Sequence, residues 1–329
     1  MAIKVLHTQY AEDPELRRRF MREGYVANKI DHPGAVAILD DDVAEDGALY
    51  LVMELLDGEP LSARLARADG GIPVGEVLAV AGQVLEVLAV AHDNAVVHRD
   101  IKPGNVFVTR GGYAKLLDFG LARLHDSSVS LVLTGQGTVM GTAGYMAPEQ
   151  ARGSVDEIDA RTDLFSLGAV MFKALTGRRI HEHADPFDAT LASMRNAAPP
   201  LASVLRGAAP LLCAAVDRAL AFDKAARWGT ARDMLGALRL AYDETSARPQ
   251  PASPSPLPTP SGMTLEIPIL VEEPSLVIDV TFGSFHDEAF ARERARTREV
   301  VQELSGLSVA VDTERDPILR GRGEDPYPG

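Results

Sequence analysis

The longest regular pattern in the chain is a run of apolar positions, with Val77, Leu78, Ala81, Val84, Leu85, Leu88 and Ala91 recurring at helical spacing. That period gathers them on one face and predicts a buried helix from Val74 to His92. Asp13 to Lys29 interleaves charged and apolar positions at the same period and predicts an amphipathic helix with a solvated face. Leu164 to Leu175 is apolar over most of its length, opens at Asp163 and meets a glycine stop in Thr176-Gly177-Arg178. Two further helices are predicted around Pro210 to Phe222 and Thr230 to Tyr242. Strand signals lie between them. Tyr50 to Leu56 is an apolar run entering the acidic turn Asp57-Gly58, and the His32-Pro33-Gly34 turn starts a strand from Ala35 to Leu39. Val106-Phe107-Val108 and Leu116-Leu117 flank the Gly111-Gly112 turn. No internal repeat interrupts this order.

The pattern changes after Asp243. Proline, serine and alanine prevail from Ser246 to Gly262, as in an extended linker that buries no core. Two short apolar runs follow, Leu265 to Val271 and Leu276 to Phe282, and then a charged helical segment from Asp287 to Leu304. Phe290, Val300, Val301, Leu304 and Leu307 give that segment only a thin apolar stripe. The expectation is a mostly disordered tail with one transient helix; the alternative is a docking segment for a partner or for the folded part of the same chain.

With 329 residues the chain can bury one large or two modest cores and still leave a tail. A net charge of −14 argues against nonspecific nucleic-acid binding, which needs basic surface to displace counterions. Half of that charge, −7, lies beyond Met263, where seven arginines meet fourteen acidic residues. Cys213 is the only cysteine, so no intramolecular disulfide forms, and its apolar neighbours make it a buried small hydrophobe. No run approaches the ~20 apolar residues that span a bilayer, and the N-terminus carries no secretory pattern, so the expected location is the cytoplasm.

The densest chemistry lies in His98-Arg99-Asp100-Ile101-Lys102-Pro103-Gly104-Asn105 and in Leu116-Leu117-Asp118-Phe119-Gly120. Asp100, Lys102 and Asn105 supply a carboxylate, an ammonium and an amide within six residues, and Asp118 adds a carboxylate at the end of an apolar strand. Phosphoryl transfer from a nucleotide needs those groups as proton acceptor, phosphate neutraliser and metal ligands. Gly141-Thr142-Ala143-Gly144-Tyr145-Met146-Ala147-Pro148-Glu149-Gln150 follows in order. Single tripeptides of this kind arise by chance; three such segments in sequence rarely do. The set resembles the catalytic loop, metal-binding loop and following segment of eukaryotic-type serine/threonine protein kinases, and looks most like their bacterial branch.

The resemblance implies an α+β, two-lobed protein-kinase fold with a truncated N-lobe sheet and a mainly helical C-lobe. The kinase domain would occupy 1–245, with an N-lobe at 1–56 and a C-lobe at 57–245, followed by the linker at 246–262 and the acidic tail at 263–329. The implied reaction is transfer of the ATP γ-phosphate, with magnesium, to serine or threonine hydroxyls of proteins. Asp100 would orient the substrate hydroxyl and accept its proton, and Lys102 would stabilise charge on the γ-phosphate. Asn105 would hold the second magnesium, and Asp118 would bridge the metal to the β- and γ-phosphates.

Met1 to Leu6 resembles the third strand of the N-lobe, which makes Lys4 the ligand of the α- and β-phosphates and Ala2 a cover for the adenine. Phe20-Met21-Arg22-Glu23 matches the helix segment whose glutamate pairs with that lysine, so Glu23 is its implied partner, with Glu15 and Glu12 as alternatives. Met53 would be the gatekeeper, the backbone of Glu54 and Leu56 would hydrogen-bond the adenine, and Phe107 would be its apolar floor. His98 would pack and hydrogen-bond rather than act as a base. Arg99 marks the kinases whose arginine pairs with a phosphorylated activation loop, here offering Thr134 and, second to it, Thr138. Thr142 would contact the catalytic aspartate and lysine, and with Lys102 it favours serine or threonine over tyrosine. Glu149 would form a buried ion pair with Arg227, and Asp163 would tie its helix to the catalytic-loop backbone.

One departure from the family stands at the start. A glycine-rich loop with two flanking strands should precede the lysine strand, and the chain begins too late to contain them. Either the gene start lies further upstream or the chain is a fragment, or this chain binds nucleotide poorly; in each case the lysine strand is expected to be an unpaired apolar edge. Two rival readings follow: a nucleotide-binding-impaired pseudokinase or scaffold, and a small-molecule phosphotransferase, against which Thr142 and Ala147-Pro148-Glu149 speak. His181-Glu182-His183 with Asp185 fits no zinc spacing and reads as a surface loop. The expected partners are protein substrates, with self-association left open, no nucleic acid and no membrane span.

Overall fold

The computed structural model describes residues 1–6, 13–44, 47–119, 143–182, 186–246, 271–272 and 275–279. Strand β1, Ala2–Leu6, has four of its five residues buried. Ile3 and Val5 pack with Ala44, Ala48, Tyr50 and Val52 on one face. Leu6 packs with Phe20, Leu49 and Leu51 on the other. A strand covered on both faces needs apolar residues almost throughout, which accounts for the sequence Ala-Ile-Lys-Val-Leu. Phe20 comes from helix α1, Pro14–Ala27, which lies against the sheet where the amphipathic pattern placed a helix.

The sheet continues through β2, Ile38–Val43, and β3, Leu49–Met53. Two strands from the far end of the sequence, β7 (Val271–Glu272) and β8 (Ser275–Asp279), complete it in the order β2-β3-β1-β8-β7. Two expectations are corrected here. The strand expected from Ala35 to Leu39 begins instead at Ile38, and Ala35 makes only an isolated bridge to Leu116. Asp40, Asp41 and Asp42 pair with Val52, Leu51 and Tyr50, so backbone pairing on a buried neighbour overrides the low strand propensity of aspartate. A register shift between Ile38 and Asp40 marks where the extra residue is absorbed. The lysine strand is not an open edge, because β8 pairs antiparallel with all of β1. Residues 271–272 and 275–279 of the tail are strand, and residues 247–270 and the helical segment expected at 287–304 lie outside the described residues.

Below this sheet, β4 (Gly58–Pro60), β5 (Val106–Thr109) and β6 (Ala114–Leu116) form a three-stranded sheet. Helices α2 (Leu61–Arg67), α3 (Val74–Asp93), α4 (Pro148–Ala151), α5 (Ala160–Thr176), α6 (Pro186–Arg195), α7 (Leu201–Val204), α8 (Pro210–Ala219) and α9 (Ala231–Ser246) make the larger, helical lobe. The architecture is α+β with two lobes. Helix α3, with ten buried residues, and helix α5, with thirteen, share the main apolar cluster. By length and composition α3 is apolar enough to cross a membrane, which corrects the expectation that no run is. Its Val84, Leu85 and Leu88 are buried in that cluster, so the fold uses the helix as a core element. Gly168 of α5 lies where a Cβ would come within 2.9 Å of Ala219 in α8, so glycine permits the close crossing. Gly177 ends α5 in the left-handed conformation, φ 71°, as the glycine stop predicts.

A buried ion pair anchors this lobe. Arg227 donates from Nη1 and Nη2 to the two carboxylate oxygens of Glu149 at 2.8 and 2.9 Å. Thr162 Oγ1 donates to Glu149 at 2.8 Å, and the guanidinium stacks 4.7 Å from the Phe165 ring centroid. Burial pushes the Glu149 carboxyl up, but the Arg227 bonds and charge outweigh it and hold the group below its ordinary value. Its contribution to stability is therefore full above the unfolded pKa and lost as pH falls through the lower folded value. Arg227→Ala, which strands the carboxylate, is expected to cost about 3–5 kcal/mol at neutral pH by urea unfolding. The gap to the native chain should narrow as pH falls below the ordinary value of 4.5.

Candidate active site

The cleft is built around a carboxylate from the first turn of α5. Asp163 is fully buried. It accepts the backbone N–H of His98 at 2.9 Å and of Arg99 at 2.8 Å, and it sits 2.8 Å from His92 Nε2 at the end of α3. Arg99 is left-handed, φ 68°, a conformation that costs a side-chain-bearing residue about 1–2 kcal/mol. It is clamped on both sides, because Gln150 Nε2 also donates to its carbonyl at 2.7 Å. Gln150 in turn accepts from Ala147 N at 3.2 Å. Gln150 closes the Gly141–Gln150 segment that carries the family resemblance, but nothing in the sequence assigned it a role of its own.

His98 is wholly buried. Its Nδ1 accepts from Asp100 N at 3.2 Å, so its Nε2 carries the hydrogen donated to Leu117 O at 2.8 Å. The ring lies 4.8 Å from Phe119. Both nitrogens are thus engaged by backbone, and His98 is positioned to brace one loop against the other.

The short helical turn Pro103–Asn105 folds the loop back on itself. Asn105 Nδ2 donates to the Asp100 carbonyl at 2.9 Å and to its Oδ2 at 3.1 Å, and Lys102 Nζ lies 3.3 Å from the same oxygen. Leu117 N donates to Asn105 O at 2.9 Å, which brings Asp118 beside this cluster. Asp118 is also left-handed, φ 50°, and its Oδ1 accepts from Lys4 Nζ at 2.9 Å across 114 residues of sequence. The Lys4 side chain is 7% exposed and that of Asp118 27%. Side chains from β1, from the catalytic loop and from the end of β6 therefore converge on one cleft.

Asn105 spends its amide N–H on Asp100 and keeps its oxygen side, while Asp118 brings a carboxylate. An amide oxygen and a carboxylate are hard donors that suit magnesium, which takes few protein ligands and leaves positions for phosphate and water. The residues fit the ion that the fold family implies.

At the back of the cleft Ala2 pairs with Met53, so the two residues expected around the adenine are register partners. Met53 is buried. Glu54 gives its N–H to Ala37 O at 3.0 Å, which leaves its carbonyl for a ligand. Its side chain accepts from Ala37 N at 2.8 Å and from Lys115 Nζ at 2.5 Å, a brace that the sequence did not signal. Among the described residues Leu56 N–H meets no backbone acceptor. Phe107 is half-buried on the face of β5 opposite the buried Val106 and Val108.

The Arg99 guanidinium carries Nε and Nη1 atoms that are buried with no partner among the described residues. Burial pushes its pKa down, Asp163 opposes that, and the nearby Arg22 charge of α1 adds to it. The side chain of Glu23, and Thr134, Thr138 and Thr142, lie outside the described residues, as do His183 and Asp185.

The comparisons agree with this geometry. A family model described as the protein kinase domain matches residues 1–215. Among relatives, the serine/threonine-protein kinase PknB of Mycobacterium leprae is 36% identical over 71% of this chain and 37% of its own length. The serine/threonine-protein kinase pkn2 of Myxococcus xanthus is 37% identical over 80% of this chain and 32% of its own. The crystal structure of the Mycobacterium tuberculosis PknI kinase domain, in a C20A_R136A double mutant, superposes with a TM-score of 0.57 at 28% identity, covering 73% of this chain and 84% of that one. The chain belongs to the protein kinase family, in its bacterial, eukaryotic-type serine/threonine branch. It spans about a third of the length of the curated relatives it matches.

Asp163→Ala orphans the buried donors at His98 and Arg99 and is expected to cost about 3 kcal/mol or more. Hydrogen exchange should show the two loop amides losing protection while those of α3 keep theirs. Gln150→Ala, which frees only the Arg99 carbonyl, should cost about 1 kcal/mol.

Proposed function

We propose that this chain is a serine/threonine protein kinase that transfers the γ-phosphoryl group of ATP to serine or threonine hydroxyls of proteins. The observation that carries the reading is the meeting of Lys4 with Asp118 at 2.9 Å beside the Asp100–Asn105 contact at 3.1 Å. Three segments distant in sequence have no structural need to bring an ammonium, two carboxylates and an amide into one cleft. Phosphoryl transfer needs all of them.

Lys4 would move from Asp118 to the α- and β-phosphates, an exchange open to a pair that is partly exposed. The Glu54 carbonyl and Leu56 N–H would bond the adenine edge, with Ala2, Met53 and Phe107 around the ring. Asp100, held by Asn105 and Lys102, would orient the acceptor hydroxyl and take its proton, and Lys102 would offset charge on the group in transfer. Asn105 and Asp118 would hold magnesium, which when bound neutralises the phosphate oxygens. Protein serine and threonine side chains as acceptors rest on the likeness to the serine/threonine-protein kinases PknB and pkn2 and on the Lys102 and Thr142 positions. No observation favours the scaffold reading over this one.

The test is phosphate transfer from γ-labelled ATP, with acid hydrolysis to identify the labelled residue. Phosphoserine or phosphothreonine is expected, and Asp100→Asn should lower turnover by about 10²–10⁴ while Mg·ATP binding persists. Binding of Mg·ATP by the native chain with no transfer to any protein hydroxyl would leave the scaffold reading in its place.

Autophosphorylation in the loop between Asp118 and Glu149 belongs to the same proposal. The Arg99 guanidinium, whose Nε and Nη1 have no partner among the described residues, and which feels the charge of Arg22, is a buried positive site that a phosphothreonine would satisfy. Phosphopeptide mapping of active protein is expected to find Thr134 modified, with Thr138 second, and Arg99→Ala should remove the activation that accompanies it.

A further inference from the structure

Two arginines, Arg178 and Arg179, follow the glycine that ends α5, and only one of them has its charge met. Arg178 donates from Nε to Glu182 at 3.1 Å and from Nη2 at 2.7 Å. Arg179 is exposed and has no carboxylate partner among the described residues. It crosses instead to the turn Ala143–Tyr145, where it hydrogen-bonds the buried Tyr145 hydroxyl. We infer that Arg179 is a specificity residue of the acceptor site, one that recognises a carboxylate side chain flanking the serine or threonine presented to Asp100.

The place of Arg179 follows from how that turn is held. The turn rests on α5 and α6, and the chain runs on from it to Gln150, whose Nε2 grips the Arg99 carbonyl at 2.7 Å. Asp100 is the next residue. A peptide that brings its hydroxyl to Asp100 in an extended form rises about 3.3 Å per residue, so side chains two to six places from the acceptor lie about 7–20 Å along it. The turn, tied to the Asp100 loop through one side chain, falls within that sweep.

The arginine is placed by packing. A Cβ on Gly144 would come within 3.0 Å of Arg179 Cδ and 3.7 Å of its Cγ and Nε, so a side chain there would push the stem off the turn. With glycine in that position the aliphatic stem lies against buried backbone and the charged end stays in solvent. Burial pushes the Tyr145 pKa up and the arginine opposes it. The phenol is therefore neutral at pH 7 and cancels none of the guanidinium charge. The planar fork of N–H donors that extends past it matches a carboxylate.

The charge of the whole chain sharpens the effect. At −14 it repels acidic partners on average, and an arginine without a counter-charge beside the acceptor site reverses that at one place. A charge so placed gives selectivity more than affinity, and it disfavours a lysine or arginine at the same point of the acceptor sequence. That the bound chain is an acceptor rests on the kinase reading; the unmet charge of Arg179 does not.

The test uses the full chain and a set of peptides with one threonine, in which glutamate, glutamine or lysine is scanned through the positions flanking it. Binding is read by fluorescence anisotropy and phosphate transfer as kcat/KM. At one position or a neighbouring pair, glutamate is expected to exceed glutamine about two- to fivefold in both readouts, the size of an exposed ion pair. The advantage should shrink as salt is raised. Arg179→Glu should reverse the order in favour of lysine at that position, while the glutamine peptide and the KM for Mg·ATP keep their native values. Equal values for the three residues at every position, or an order that Arg179→Glu leaves untouched, would overturn the inference. Binding that follows the expected order with no transfer to any threonine leaves Arg179 as a carboxylate site and removes the kinase reading instead.

Discussion

The site depends first on the carboxylate of Asp163. It is a buried anion at the one point where the end of α3, the catalytic loop and the start of α5 meet, and it binds a group from each of the first two. Burying a carboxylate is unfavourable unless donors replace its water. Here two backbone N–H groups and a histidine ring replace it, and the first turn of α5 adds the favourable end of a helix dipole. Because Arg99 must be left-handed, the loop would otherwise relax toward ordinary backbone and carry Asp100 away from the cleft. Gln150, holding the Arg99 carbonyl, closes the clamp from the opposite side.

Two ion pairs in the same molecule show how burial separates scaffold from chemistry. Glu149 and Arg227 have side-chain exposures of 4% and 0%, and removing either leaves a charge with no solvent. Such a pair locks α4 to the segment before α9 and has no reason to open. Lys4 and Asp118 lie at a comparable distance, but the carboxylate keeps 27% of its surface exposed. Solvent can compensate as it separates, so the pair can exchange partners when phosphates arrive. The left-handed backbone at Asp118 fits a residue whose direction is set by function more than by local preference.

Much of the helical lobe was legible because its helices carry long periodic patterns; α3 and α5 lie within a residue or a few of their expected limits. The buried roles of Asp163, Glu149 and Arg227 were legible only through resemblance to a family, since spacing alone says nothing about which helix a lone aspartate will face. The β2 strand was expected three residues too early, because three consecutive aspartates have low strand propensity and only the partner strand makes them extended. The Gln150 clamp on the Arg99 carbonyl and the Glu54–Lys115 brace join residues far apart in sequence, with nothing periodic to mark them. The same is true of β8: a run of three apolar residues becomes a strand only when an edge is there to pair with it.

That last contact also differs in kind from the rest of the fold. Closing the connection of roughly 29 residues between α9 and β8 costs about 3 kcal/mol in chain entropy on the (3/2)RT ln n scale. Each backbone hydrogen bond returns a net of about 0.5–1.5 kcal/mol, and β8 has only five register pairs with β1 to supply them. Gain and loss are of similar size, unlike the helical lobe, where the apolar cluster around α3 and α5 dominates.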